Sequence, residues 1–342
     1  MPNLIESSLK VKGILDSRIG GRQENQDAAG SADTHLGTIV VVCDGMGGCN
    51  GGAVASGIAV TTVIDEVSAA PSGSSPVDVL KQAIIHANEA IYDKAQEDPS
   101  LSGMGTTIVA ALITKQSLIV SYVGDSRVYL LRGKRKIFRT FDHSYVYQAL
   151  VSKKVITEEQ ARLSIHSNAI LKALGVESTI DPEVFVLPYL KGDRLILCTD
   201  GFWGAMPENE LISSVCRKNG LMTSMEHTFA RIEKIGLAHG GNHDNYTAAI
   251  IDLNVESLLR TKMDTRTKVL IAVLSACLLA SVSLNVCQFA HRAKANEHVE
   301  HVEGEEKNLE NHAVPSNPSN LSNNADSDKN AESTKEGTDQ KK

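Results

Sequence analysis

The sequence predicts an α+β domain of antiparallel sheets flanked by helices, followed by one C-terminal transmembrane helix. Three observations carry this reading. Residues 1–255 alternate short apolar runs with Gly-rich turns. Several of those runs follow one another closely, without the regular crossover helices that a parallel sheet requires. Composition then shifts sharply near residue 255 into a basic stretch, a long apolar run and a polar tail.

The strand-like runs are residues 38–43, 107–113, 118–123, 127–131, 194–198 and 247–253. Each is rich in Val, Ile, Leu or Tyr and each abuts a turn. Helical periodicity appears at 53–67, 76–96 and 208–219, and in the segment from Tyr145 to Leu163. Residues 269–287 form a run of 19 without a charge, its polar members being three serines and Asn285. That length fits the roughly 20 residues a helix needs to cross a bilayer. A soluble helix of this length would show a polar face, and this run shows almost none.

Four bases, Arg260, Lys262, Arg266 and Lys268, precede the run, and acids dominate after Lys294. The positive-inside bias places residues 1–255 in the cytoplasm. The expected organisation is a folded domain at 1–255, a basic juxtamembrane linker at 256–268, a transmembrane helix at 269–289 and a polar, disordered tail at 290–342. Residues 1–12 contain charges and no apolar stretch, so no secretory signal is expected there. The expected location is the cell inner membrane, single-pass, with the domain cytoplasmic.

A net charge of −7 and the lack of a Lys/Arg stripe interleaved with aromatics argue against nucleic-acid binding. Cysteines at 43, 49, 198, 216, 277 and 287 match neither a zinc site nor a disulfide framework. They read as buried thiols in a reducing compartment.

The chemistry lies in acids at the ends of strand-like runs. Asp44 follows TIVVVC and opens Asp-Gly-Met-Gly-Gly. Asp200 follows RLILCT and opens Asp-Gly-Phe-Trp. Asp125 follows IVSYVG, Asp244 and Asn245 precede YTAAIIDL, and Asp27 closes the segment from Arg22. Carboxylates converging from several strand ends, with a Gly that brings a backbone carbonyl close, make an oxygen-rich site suited to Mg²⁺ or Mn²⁺. One Asp-Gly after a strand is an ordinary turn; five such acids in one chain are not. Gly47, Gly48, Gly51 and Gly52 are not a nucleotide loop, since no Gly-Lys-Ser/Thr follows, and they read as the approach to a helix near Ala53.

These segments resemble the PPM/PP2C family of metal-dependent protein phosphatases in its bacterial form. The resemblance rests on Arg22 to Asp27, VVCDGMGG with GGAVAS, GMGTTIVAAL, VGDSRVYLLR, FDHS, LCTDGFW and HDNYTAAII, in the family's order across about residues 10–253. It implies a four-layer α-β-β-α sandwich with two antiparallel sheets and a binuclear Mn²⁺ or Mg²⁺ centre at one edge. Asp44 would bridge both ions and Gly45 would offer its carbonyl. Asp200 and Asp244 would hold the other ion, Asp27 would act through water, and Asp125 would help hold a third metal. Arg22 would clamp the substrate phosphate. The implied reaction is hydrolysis of protein phosphoserine and phosphothreonine by a metal-bridged hydroxide. The implied partners are phosphorylated proteins and an opposing bacterial Ser/Thr kinase at the membrane.

The chain departs from the pattern in three places. Met46 stands where animal relatives have a His proposed as general acid, Gln26 where many relatives have a metal-contacting Glu, and Cys49 where bacterial relatives often have His. His143 reads as a hydrogen-bonded structural residue before it reads as an acid. Residues 143–180 correspond to the family's flap beside the site. Asn245-Tyr246-Thr247 matches a glycosylation sequon, but its place in a cytoplasmic metal motif argues against modification. Two rival readings are a phosphoprotein-binding module without turnover, and a phosphatase controlled by its tail.

Overall fold

A computed structural model describes residues 2–164, 169–217 and 220–255, without the side chains of 48–50. Residues through Thr261 belong to one compact unit. The expected linker, transmembrane helix and tail lie outside the described residues.

Two antiparallel sheets form the centre. The first orders its strands β1 (Asn3–Ile5), β2 (Lys12–Arg18), β12 (Tyr246–Leu253), β11 (Asp193–Cys198), β8 (Arg127–Arg132) and β9 (Arg135–Arg139). The second runs β10 (Glu183–Leu187), β7 (Leu118–Val123), β6 (Ile108–Ile113), β4 (Thr38–Met46) and β3 (Asp27–Asp33), with the two-residue β5 (Gly105–Thr106) pairing β4.

The layers follow from side-chain alternation. On β4, Val40 and Val42 face the inter-sheet core with Leu195, Leu197, Ala249 and Ile251. Ile39, Val41 and Cys43 face the other way, onto α1 (Gly48–Ala69) and α2 (Pro76–Glu97). On β11, Ile196 and Cys198 pack outward against Phe202, Met225 and Phe229, under α5 (Glu208–Val215) and α6 (Leu221–Ala238). Strands covered on both faces read as continuous apolar runs, and both central strands do. The result is the expected four-layer α-β-β-α sandwich.

Several local expectations need correction. α1 begins at Gly48, five residues before the expected start, so Gly48, Gly51 and Gly52 are part of the helix and only Gly47, its N-cap, belongs to the approach. The expected helix 208–219 stops at Val215. Among the described residues of the flap, a π-type turn at Tyr147–Val151 and a short α3 (Glu158–Arg162) capped by Thr157 are separated where Lys154 takes a positive φ of 59°. Asp44 lies inside β4, which continues to Met46, and Asp200 is the first residue of α4 (Asp200–Trp203) rather than a strand end.

The sandwich has two poles. Asp27 pairs with Asp44 across β3 and β4. Asp200 lies just beyond the end of β11, Asp244 just before the start of β12, and Asp125 between β7 and β8. All five acids therefore gather at one pole.

Candidate metal centre

Asp27 and Asp44 come from neighbouring strands. Thr199 Oγ1 donates to Asp27 Oδ2 at 2.9 Å, tying it to the β11–α4 turn. Thr199 itself accepts from Thr247 N at 3.0 Å, so the Asp27 carboxylate is held across both sheets. The Asp44 carbonyl accepts from Thr107 N (2.8 Å) and Thr106 Oγ1 (2.9 Å). Gly45 stands where any side chain would collide: its Cβ would lie 2.1 Å from the Gly52 carbonyl and 2.6 Å from that of Gln26. The glycine therefore lets α1 and the Gln26 turn close upon the strand end.

Asp125 is buried, and its backbone carbonyl accepts from Trp203 Nε1 at 3.0 Å. Behind it, Arg127 binds both oxygens of buried Asp142, at 2.8 and 2.6 Å, and its guanidinium lies 3.3 Å from the Trp203 ring centroid. This brace fixes Trp203, and with it the helix that begins at Asp200.

Arg22 Nη2 donates to Asp244 Oδ2 at 3.0 Å on the exposed rim. The β2–β3 turn is pressed against the Asp244 loop: a Cβ on Gly21 would lie 1.8 Å from the Gly241 carbonyl. Asn245 finishes the junction, accepting from Gln26 N and donating to the Ile19 and Glu24 carbonyls. Buried and fully engaged, it is a structural clasp, in keeping with the reading that the sequon is not used.

Burial is the largest force on Asp27, Asp44, Asp125 and Asp200. It pushes Asp27 up to about 7, with the charges of Asp200 and Asp244 adding to it while Thr247 and Thr199 pull it back. Asp200 rises to about 6, through burial and then Asp244. Asp44 and Asp125 are pushed well above the usual carboxylate range, first by burial and then by Asp200.

The residues fit a divalent cation. Asp125 Oδ1 and Asp200 Oδ1 are buried oxygens with no hydrogen-bond partner among the described residues. Orphaned buried carboxylate oxygens are costly, and a cation satisfies them. A cavity of about 270 Å³ is lined by Asp125, Asp200 and Asp244. Among the described residues no three acid, His or Cys groups close into a ready-made cage.

Sequence reasoning missed His243. Its Nε2 lies 3.0 Å from Glu233 Oε2, its ring stacks on Tyr246, and a Cβ on Gly236 would sit 2.3 Å from its Cγ and Nδ1. Gly236 thus opens a slot in α6 that pins the residue next to Asp244. The signal was the periodic spacing of Met225, Phe229, Ile232 and Gly236, which marks the unread helix α6. His143 is structural, as expected: Gly124 N donates to Nδ1 at 3.2 Å, leaving Nε2–H for Glu183 at 3.1 Å. Burial lowers its pKa, which favours the neutral ring. Gln26 lies against Gly52 and donates to Glu24 Oε2 at 3.3 Å.

Fold and acids together define a metal-dependent phosphohydrolase. The model of the protein phosphatase 2C family matches residues 16–239. A serine/threonine phosphatase, Stp, from Listeria welshimeri is 33% identical over 238 residues, covering 68% of this chain and 92% of its own. The Mycobacterium tuberculosis serine/threonine phosphatase PstP superposes with a TM-score of 0.61 at 28% identity, over 71% of this chain and 99% of its own. A PstP catalytic domain in complex with two manganese ions gives 0.59 at 28% identity, over 71% and 97%. The chain belongs to the protein phosphatase 2C family.

Proposed function

We propose that this chain is a protein-serine/threonine phosphatase that works with Mn²⁺ or Mg²⁺, and that a helix at residues 269–289 anchors it in a membrane. The observation that carries the first part is the pair of orphaned buried oxygens on Asp125 and Asp200, set among Asp27, Asp44 and Asp244. The family membership and the manganese-bound neighbour support it.

Asp44, Gly45, Asp200 and Asp244 would hold two ions, with Asp27 acting through water and Asp125 holding a third. Bound there, the ions supply Lewis-acid charge to the phosphoryl group and make a water-derived nucleophile available near neutral pH. The chain's own residues do the positioning. Arg22 on the exposed rim offers a planar fork to two phosphate oxygens, exchanging Asp244 for substrate. Hydrogen bonds from Thr199 and Thr247 favour the charged form of Asp27 and offset part of its burial. The Arg127–Asp142–Trp203 brace keeps Asp125 and Asp200 at fixed separation, which in-line transfer requires. His143, committed to Gly124 and Glu183, is not placed to donate a proton to the leaving group.

The anchor rests on residues 269–287, their freedom from charge and the bases before them. The substrates are phosphorylated proteins at the cytoplasmic face, where an opposing Ser/Thr kinase acts. The test is hydrolysis of a phosphothreonine peptide with Mn²⁺, Mg²⁺ or EDTA. Activity is expected only with metal, and Asp44→Asn should lower kcat at least about a thousandfold. A folded, metal-binding but inert protein would instead be a binding module. Alkaline carbonate extraction tests the anchor separately, with the full chain expected in the membrane pellet.

A further inference from the structure

The pole opposite the metal centre carries charge of the other sign. Strand register identifies it: Asp193 of β11 pairs with Arg132 of β8 and with Leu253 of β12, and Asp252 pairs with Lys12 of β2. Ser7 Oγ meets Thr38 Oγ1 at 2.7 Å, and Tyr189 OH donates to the Thr114 carbonyl at 2.8 Å, so both sheets end together here. The loops at this end expose Lys10, Lys12, Lys115, Lys134, Arg135 and Lys191. None of the six forms an ion pair among the described residues. Arg132 and Arg194 are already neutralised by Asp193 and Asp252. Glu6 and Asp33 are exposed acids at this end, and Asp65 near the end of α1 and Asp78 at the start of α2 are exposed on the adjoining helix layer. A basic pole on a chain of net charge −7 is a segregation of charge, not a reflection of composition.

The same pole is where the domain ends. β12 runs from the metal centre to Leu253, and from Val255 the sequence continues through Arg260, Lys262, Arg266 and Lys268 to the charge-free run. We propose that the Lys10–Lys12, Lys115, Lys134–Arg135 and Lys191 loops form a docking surface for an anionic lipid bilayer. This rests on the membrane-anchored reading of the chain and adds an orientation to it. The catalytic edge points away from the bilayer, roughly 25 Å from it, the length of the eight-residue β12. Phosphoproteins then approach from the cytoplasm without crossing the lipid surface. Near an anionic surface each Lys or Arg strengthens binding roughly fivefold.

The test uses residues 1–261. This unit is compact and carries all three apolar clusters, and the Listeria relative is 92% covered by the matching segment, so the unit folds alone. It is sedimented with vesicles of phosphatidylglycerol and phosphatidylcholine in equal parts, and with phosphatidylcholine alone. Binding is expected only to the anionic vesicles, weakening as salt rises from roughly 0.05 to 0.3 M. Charge reversal at the pole (Lys134→Glu, Arg135→Glu, Lys191→Glu) should weaken it at least about tenfold, with p-nitrophenyl phosphate hydrolysis unchanged. Reversal of the exposed flap bases (Lys153→Glu, Lys154→Glu) should change it less than about threefold. Failure to bind anionic vesicles, equal loss in both variants, or capture by an acidic polypeptide but not by vesicles overturns the proposal. Because this fragment lacks residues 262–342, the anchor is judged separately by carbonate extraction of the full chain.

Discussion

Two groups of buried acids in one fold are treated in opposite ways. Asp142 and Asp193 are buried, and each receives both arms of an arginine, from Arg127 and Arg132. Asp27, Asp44, Asp125 and Asp200, a few residues away in the chain or across one strand, face each other instead. The fold therefore can neutralise a buried carboxylate from within, and at the metal edge it does not. What the braced group satisfies internally, the edge leaves for a cation and a phosphate.

Breaking the braced pair is the harshest way to probe this contrast. Asp142→Asn should cost about 3–5 kcal/mol, because it strands the Arg127 charge. Asp44→Asn should change the stability of the metal-free protein by no more than about 1 kcal/mol, since an amide of the same shape replaces an acid whose charged form burial disfavours. Urea unfolding of both variants without metal checks this. A large loss in Asp44→Asn would mean that the edge acids stabilise the fold themselves.

A gentler probe acts through the slot for His243. Gly236→Ala improves helix propensity by up to about 1 kcal/mol, but its new methyl collides with the His243 ring. The displaced ring should drag Asp244 and weaken Mn²⁺ binding about tenfold, by calorimetric titration. Gly57→Ala on α1 has nothing within 4 Å of its new methyl, and should gain stability without touching metal affinity. Equal Mn²⁺ affinity in both variants would remove His243 from the positioning of Asp244.

The central strands were legible because burial on both faces writes itself as unbroken Val, Ile and Leu. β3 was not, since its sequence Asp-Ala-Ala-Gly-Ser-Ala-Asp has no β-branched or aromatic residue. Its small side chains let α1 lie close: a Cβ on Gly30 would touch Ile64 at 2.7 Å and Val60 at 2.9 Å. Propensity cannot see such packing, and tertiary contact overrides it. The start of α1 was hidden for a similar reason, since glycines weaken a helix locally while tertiary contacts hold it here. Four of the five acids were readable because each follows or precedes an apolar run, and Asp27 because it closes the segment from Arg22. What was not readable is how they are held: the Thr199–Thr247 link, the Trp203 brace and the Gly236 slot join residues distant in sequence.

The pH dependence of metal stabilisation tests the account most directly. In the metal-free protein Asp27 releases its proton near pH 7 and Asp200 near 6, against 3.8 when unfolded. Their contribution to stability is thus full below about pH 3.8 and lost as the pH rises through 6 to 7. A divalent cation competes with those same protons. Thermal melts with and without Mn²⁺, from pH 5 to 7.5, should show a Mn²⁺-induced rise in Tm that grows steadily with pH, and no such rise in Asp44→Asn. A shift that is independent of pH, or that survives in Asp44→Asn, would place the cation somewhere other than among these acids.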